Sequence, residues 1–295
     1  VGTPSESLPR DPSANFAPPV EPVGVNPDNP PWGLGGALGV WLLSFVLMVV
    51  VQLVFLLGLA MYRKVGLVAL ADWALNDAEA IFIQIVSIIP AHVLTLGLAW
   101  LLVTRVGKHP FLPTLGWDWG GGLTFWRCVL LAVAMLVAGT LIIKLTGNPE
   151  TALDRLIQSS RAAALTTAFA ATFTAPFVEE VIYRGLLYSA LRRLVGAGWA
   201  VSIVLVLFAA IHVPQYWPNV GVIVTIILLS FVLTTLRART GRLLPCFIVH
   251  LVFNGIQSFF ITFGPYFDSL WPEKTPAPAP GMLLYAVSLL ARAFH

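Results

Sequence analysis

Two adjacent carboxylates stand inside an apolar run, Phe177-Val-Glu179-Glu180-Val-Ile-Tyr183-Arg184-Gly185. An ionisable side chain at membrane depth costs about 2.5–3.5 kcal/mol on insertion scales, so each one is a functional candidate by default. Helical spacing separates the two. Glu180 precedes Arg184 by four residues and shares its face, so the two can pair. Glu179 points about a quarter turn away, toward Tyr183, with no counter-charge nearby in sequence. A carboxylate left without such a partner can take a proton from water, the work of a general base. The same cluster also fits a structural ion pair that pins helix packing. A second cluster, Phe208-Ala-Ala-Ile-His212 before Val213-Pro214, puts a ring and an imidazole one helical turn apart. Alone it reads as an interfacial or satisfied core histidine. The third, His250-Leu-Val-Phe-Asn254, sets two donors on one helix face. Together they can stabilise a single oxygen on which charge develops; they can equally serve as polar contacts between helices. His92, Gln52 and Gln84 read as packing or interhelical hydrogen bonds. Asp72, Asp77 and Glu79 read as a solvated loop. Cys128 and Cys246 form no CxxC pair and read as small core thiols.

The elements that must position these groups are membrane helices. Of 295 residues, 58% are hydrophobic and only 11% charged, with mean hydropathy +0.85, against about 25% charged in soluble domains. A ruler of about 20 apolar residues per span gives an all-α, polytopic bundle of about eight transmembrane helices. They fall near 36–61, 80–104 (with Pro90 expected to kink it), 125–145, 162–194, 199–213, 220–236, 243–262 and, less firmly defined, 282–294. The organisation expected is a Pro-rich disordered tail at 1–31, N-terminal membrane helices at 32–160, a catalytic helical core at 161–262, and an extended Pro-Ala connector with a short helix at 263–295. The Trp-rich stretch Gly116–Trp126 reads as an interfacial elbow. No secretory signal is read at the start. A net charge of +3, with no basic run interleaved with aromatics, speaks against nucleic acid. Arg105, Lys108, Arg192, Arg193, Arg237, Arg239 and Arg242 gather on one side of the bundle, against Arg63, Lys64, Arg155 and Arg161 on the other. The positive-inside rule then places the N-terminus in the cytoplasm.

Together, Glu179-Glu180-x-x-x-Arg184, Phe208-x-x-x-His212 and His250-x-x-x-Asn254 resemble, in order and approximate spacing, the motifs of the CPBP family. These are CAAX proteases and bacteriocin-processing enzymes, also called the Abi family. The similarity covers roughly residues 160–262. It implies a multi-pass membrane endopeptidase, similar to type II CAAX prenyl proteases, in which Glu179 activates water. Glu180 and Arg184 would organise the site, His212 would position or polarise the water, and His250 and Asn254 would form the oxyanion hole. No covalent enzyme intermediate is implied. Two His and two Glu could hold zinc, but HExxH is absent from the sequence, and the reading taken is one without metal or other cofactor. The partners implied are membrane lipids and a membrane-associated or lipidated peptide. The rival classes are a non-enzymatic immunity or scaffold protein and a proton-coupled transporter. At 1.5 Å per residue, Glu179 and His212 fall on the order of 20 Å from the basic side but His250 only about 10 Å. These depths meet only if the seventh helix is tilted or begins inside the bundle.

Overall fold

The computed structural model describes residues 27–270. The tail before residue 27, the Pro-Ala connector and the eighth predicted span lie outside them. Every regular element among the described residues is helical. Three long helices open the chain: α1 (Leu34–Arg63), α3 (Ala78–Thr104) and α5 (Phe125–Thr146), with short α2 (Leu70–Asn76) and α4 (Phe111–Thr114) between them. After α6 (Ala152–Gln158) comes a helical run of 56 residues, Arg161–Tyr216. Straight, it would reach about 84 Å, well over twice the hydrocarbon thickness. It is broken at Gly196, whose φ of 78° and ψ of 169° are non-helical. The run is therefore two spans, as the sequence predicts. Within it lie α7 (Arg161–Phe169), a π-helical turn (Ala170–Thr174), α8 (Ala175–Glu179), a second π-helical stretch (Glu180–Leu187) and α9 (Tyr188–Tyr216). The last described elements are α10 (Val220–Thr240) and α11 (Leu244–Leu270).

Six described helices, counting 161–216 once, are long and apolar enough to cross a membrane. Their outer faces stay apolar: Leu42, Val46, Val50, Leu53, Val54 and Leu57 of α1 are all exposed. Water would oppose such a surface and lipid does not. The protein is an integral membrane protein.

Capping accounts for most of the boundaries. Asp77 accepts from the backbone of Glu79 and Ala80 as N-cap of α3, while Asp72 lies in α2 and Glu79 pairs with Arg63. The loop expected at 72–79 is thus two helices and a cap. Pro90 sits inside α3, which continues through it. Thr151 and Asp154 form a reciprocal capping box for α6, Asn219 caps α10, and Gly241 in a left-handed conformation ends it. Each such cap is worth about 1 kcal/mol.

α1 packs on α3, α10 lies between α9 and α5, and α11 rests on α5 and on the π-turn at 170–174. One apolar core surrounds Val181, Leu186, Leu187, Tyr188 and Phe208; another joins α5, α10 and α11 through Met135, Leu233, Val249 and Phe253. Both cysteines are buried free thiols.

The two ends of the bundle differ. At the arginine-rich end, where α10 stops and α11 starts, residues 27–32 cross the helices. Arg237 holds Pro27 O and Asp28, Arg193 holds Pro30 O, Arg105 holds Pro31 O, and Trp32 Nε1 donates to Leu186 O. The elbow after α4 is turned inward at its start, while Trp119 and Trp126 stay exposed: Leu115 is buried, and Trp117 packs on Phe177 and Phe247 at ring separations of 5.2 and 5.0 Å. Gly116, at φ 76°, accepts from Leu243 N at 2.8 Å, and a Cβ there would meet Gly241 O at 2.8 Å. This elbow covers the start of α11. The helix begins inside the protein, and the depth mismatch read from the sequence disappears.

Candidate active site

Arg184 is the hub. It is fully buried and, like Glu180, has a side chain without solvent exposure. Its Nη1 donates to Glu180 Oε1 at 2.9 Å, Nε to Thr234 Oγ1 at 3.2 Å, and Nη2 to Ser230 Oγ at 3.1 Å. Its guanidinium lies 4.5 Å above the Phe208 ring. One cation thus ties the π-helical stretch to α9 and α10. Uncompensated, a charge in this position would cost several kcal/mol.

Glu180 Oε1 also faces His250 Nδ1 at 2.8 Å. An ion-paired carboxylate only accepts, so Nδ1 of His250 carries the proton. The ring's other nitrogen, Nε2, is 3.7 Å from Glu179 Oε2. His212 is set by the same logic. Its Nδ1 lies 2.7 Å from Phe208 O, a pure acceptor, and its Nε2 is 4.0 Å from Glu179 Oε1. Phe208, one turn below, packs against His212 with ring centroids 4.6 Å apart. Glu179 is therefore faced by two Nε2 atoms at separations beyond a direct hydrogen bond. Its side chain is 21% exposed, whereas its neighbour is sealed. The sequence reading of one held and one available carboxylate describes this arrangement.

Asn254 is fixed by a backbone irregularity. In the π-turn, Ala175 N donates to Ala170 O. The next donor along the chain is missing because residue 176 is proline, which has no N–H. Ala171 O is left over, and Asn254 Nδ2 fills it at 2.8 Å. The same amide keeps a second N–H for another acceptor. His92, from α3, supports the turn: its Nδ1 meets Thr174 Oγ1 at 2.9 Å, and Thr174 donates to Ala170 O at 3.2 Å. The hydroxyl proton is spent on Ala170, so His92 Nδ1 is the donor.

These groups face a cavity of ≈ 180 Å³, lined among others by Glu179, His212, His250, Asn254 and Tyr216. Tyr216, one turn beyond His212, stacks on it at 22° with centroids 6.4 Å apart. All six sequence-predicted residues converge on one locus, Glu180 and Arg184 behind the wall and the other four along it. The His250 and Asn254 side chains do not both point unengaged at one place; each already holds an acceptor. Sequence reading passed over Ser230, Thr234, Thr174 and Tyr216, and took His92 as packing. The available signal was spacing: Ser230 and Thr234 are four apart in the mostly apolar stretch of α10 before Arg237, and Pro176 falls five residues after Ala171. Among the described residues no group of three or more His, Cys, Asp or Glu is arranged to hold a metal ion.

Residues 161–256 match the family model described as type II CAAX prenyl endopeptidase Rce1-like. The matched segment contains all three motifs and belongs to the CAAX protease family that they resemble. No curated protein and no solved structure matches the chain.

Proposed function

We propose that this CAAX-protease-like membrane peptidase hydrolyses a peptide bond with water activated by Glu179, with no covalent enzyme intermediate and no metal. The observation that carries the reading is the contrast on one helix. Glu180 is sealed from solvent, with its Oε1 held by both Arg184 and His250, while Glu179 faces the cavity opposite two inward Nε2 atoms.

The chemistry follows from those contacts. A water between Glu179 and His212 gives one proton to the Glu179 carboxylate and directs its other hydrogen to the His212 Nε2 lone pair. The water oxygen bonds to the carbonyl carbon, and the carbonyl π pair moves onto oxygen. The second N–H of Asn254 donates to that oxyanion, joined by His250 whenever its Nε2 carries a proton. The C–N bond then breaks, and Glu179 returns its proton to the leaving nitrogen. Glu180 and Arg184 do not touch the reacting atoms; they hold the His250 ring. The substrate class is a membrane-associated or lipidated peptide, with bilayer lipids as surroundings.

The test is cleavage of prenylated and membrane-anchored peptides by the purified full chain in liposomes, beside Glu179→Ala and with or without chelator. Chelator-resistant cleavage lost in Glu179→Ala is expected. Cleavage that survives Glu179→Ala removes the assigned base. Cleavage abolished by chelator and restored by zinc removes the metal-free mechanism. A folded protein that cleaves nothing points to a binding or immunity role instead.

A further inference from the structure

A second carboxylate, which the mechanism does not use, borders the same cavity as Glu179. Asp154 lies in α6, where Leu153, Asp154 and Ile157 line the cavity while Ala152, Arg155 and Gln158 are exposed. The acidic group thus stands on the inward face of a short helix, between two apolar side chains. Its part in the fold occupies one oxygen. Oδ2 accepts from Thr151 N at 2.8 Å and from Thr151 Oγ1 at 2.6 Å, which closes the capping box of α6. Oδ1 holds no hydrogen bond among the described residues. No Lys, Arg or His among them forms an ion pair with Asp154, although Arg155 is its neighbour in sequence.

The rest of the lining supplies no counter-charge. Its titratable side chains are Asp154, Glu179, His212, Tyr216 and His250, and it contains no Lys or Arg. Arg184, the nearest cation to the catalytic groups in sequence, is paired with Glu180 behind the wall. With both imidazoles neutral, the two carboxylates set the sign of the cavity. Ile143, Val222, Ile226 and Leu229 make much of the remaining wall apolar. A low-dielectric wall focuses such a field, which draws cations in and turns anions away.

We propose that Asp154 is a specificity residue that pairs with a lysine or arginine side chain of the substrate, close to the bond presented to Glu179. This rests on the peptidase reading and adds to it the charge of the segment that enters. The ammonium or guanidinium donates to Oδ1 while Oδ2 stays on Thr151, so substrate binding leaves the cap of α6 in place. An acidic residue at the same position would meet a carboxylate with no cation beside it.

The test uses the purified full chain in liposomes of neutral lipid and membrane-anchored peptides that differ at one residue. Lys, Gln or Glu is placed in turn at each position flanking the cleaved bond. At one such position kcat/KM is expected to favour Lys over Glu by about fivefold or more, the effect of one partly exposed ion pair. Asp154→Asn keeps an amide oxygen for the cap and should bring that ratio close to one. Asp154→Glu keeps the charge, with the residue usual at this place in a capping box, and should retain the preference. Ratios within one variant cancel any general loss of activity, and wild-type melting in detergent excludes misfolding. No Lys preference at any position, or a preference that survives Asp154→Asn, overturns the proposal. Crosslinking of photoreactive versions of the same peptides to Glu179→Gln protein reads binding without cleavage. Charge-selective crosslinking lost in Asp154→Asn, with no cleavage by the wild type, supports the assignment and counts against the peptidase reading alone. Cleavage without charge preference counts against Asp154 alone.

Discussion

Glu179 and Glu180 are neighbours in sequence, yet they stand in two different regions of the molecule. Behind the cavity wall, Glu180, Arg184, Ser230 and Thr234 form a buried network that ends on His250 in the wall itself. In front of it, Glu179, His212 and Asn254 border a cavity, and their contacts leave capacity unspent. The difference teaches how one helix can hold two carboxylates in lipid. Buried charge is tolerated where a counter-charge meets it, even though Glu180 Oε2 has no hydrogen-bond partner, and chemistry is done by the charge that faces the cavity. Glu179→Gln keeps shape and removes the base. Cleavage is expected to fall by about 10²–10⁴-fold, the range of general acid–base catalysis, with unchanged melting. Equal loss of melting temperature and activity would show that the two regions are one.

The rear network breaks differently. Arg184→Ala leaves Glu180 buried without its cation, a change that costs about 3–5 kcal/mol, read as a lower detergent melting temperature. Replacing both partners by apolar residues, Glu180→Leu with Arg184→Met, removes the stranded charge and is expected to recover much of that loss. Activity should not return, because the His250 ring then lacks its Nδ1 acceptor. Recovery of cleavage in the double variant would mean that the network is scaffolding alone.

Asn254 stands at the border between the two regions. Asn254→Ala is expected to lower kcat by about 10²–10³-fold, the loss typical of one oxyanion donor, with little change in KM. A rise in KM at constant kcat would instead make Asn254 a ground-state contact.

Much of this was legible in the sequence, and the rest was hidden for identifiable reasons. Hydrophobic runs located the long described helices to within a few residues, since lipid demands long apolar segments, except that α11 continues eight residues past the expected end at 262, to Leu270. Glu180 and Arg184 could be paired because four-residue spacing is local. The short elements were not legible: α2 and α6 are seven residues each, too short for periodicity, and the Asp77 cap lies in a stretch that reads as polar loop. Nor could the partners of His250 and Asn254 be read. Glu180 and Ala171 lie 70 and 83 residues away, and only packing brings them together. The start of α11 beneath the Gly116 elbow was invisible for the same reason, although it helps bring His250 to the depth of Glu179.

The smallest effect expected is also the most discriminating, because it concerns the contact that His92, outside the family-matched segment, makes with Thr174 inside it. His92 donates to Thr174, Thr174 to Ala170 O, and the π register leaves Ala171 O for Asn254. π-turns of this kind recur at functional sites because the helix alone does not favour them. Thr174→Val removes one half-buried hydrogen-bonding hydroxyl at nearly constant volume, at about 1 kcal/mol, and strands the His92 donor. If the turn positions Asn254, kcat falls about tenfold, the kinetic equivalent of about 1.4 kcal/mol. KM stays put, and Thr174→Ser restores the rate. Combined with Asn254→Ala, the loss should be less than additive, since both act through one amide. Additive losses would make His92 and Thr174 packing partners of α3 and place the border of the active region at α8.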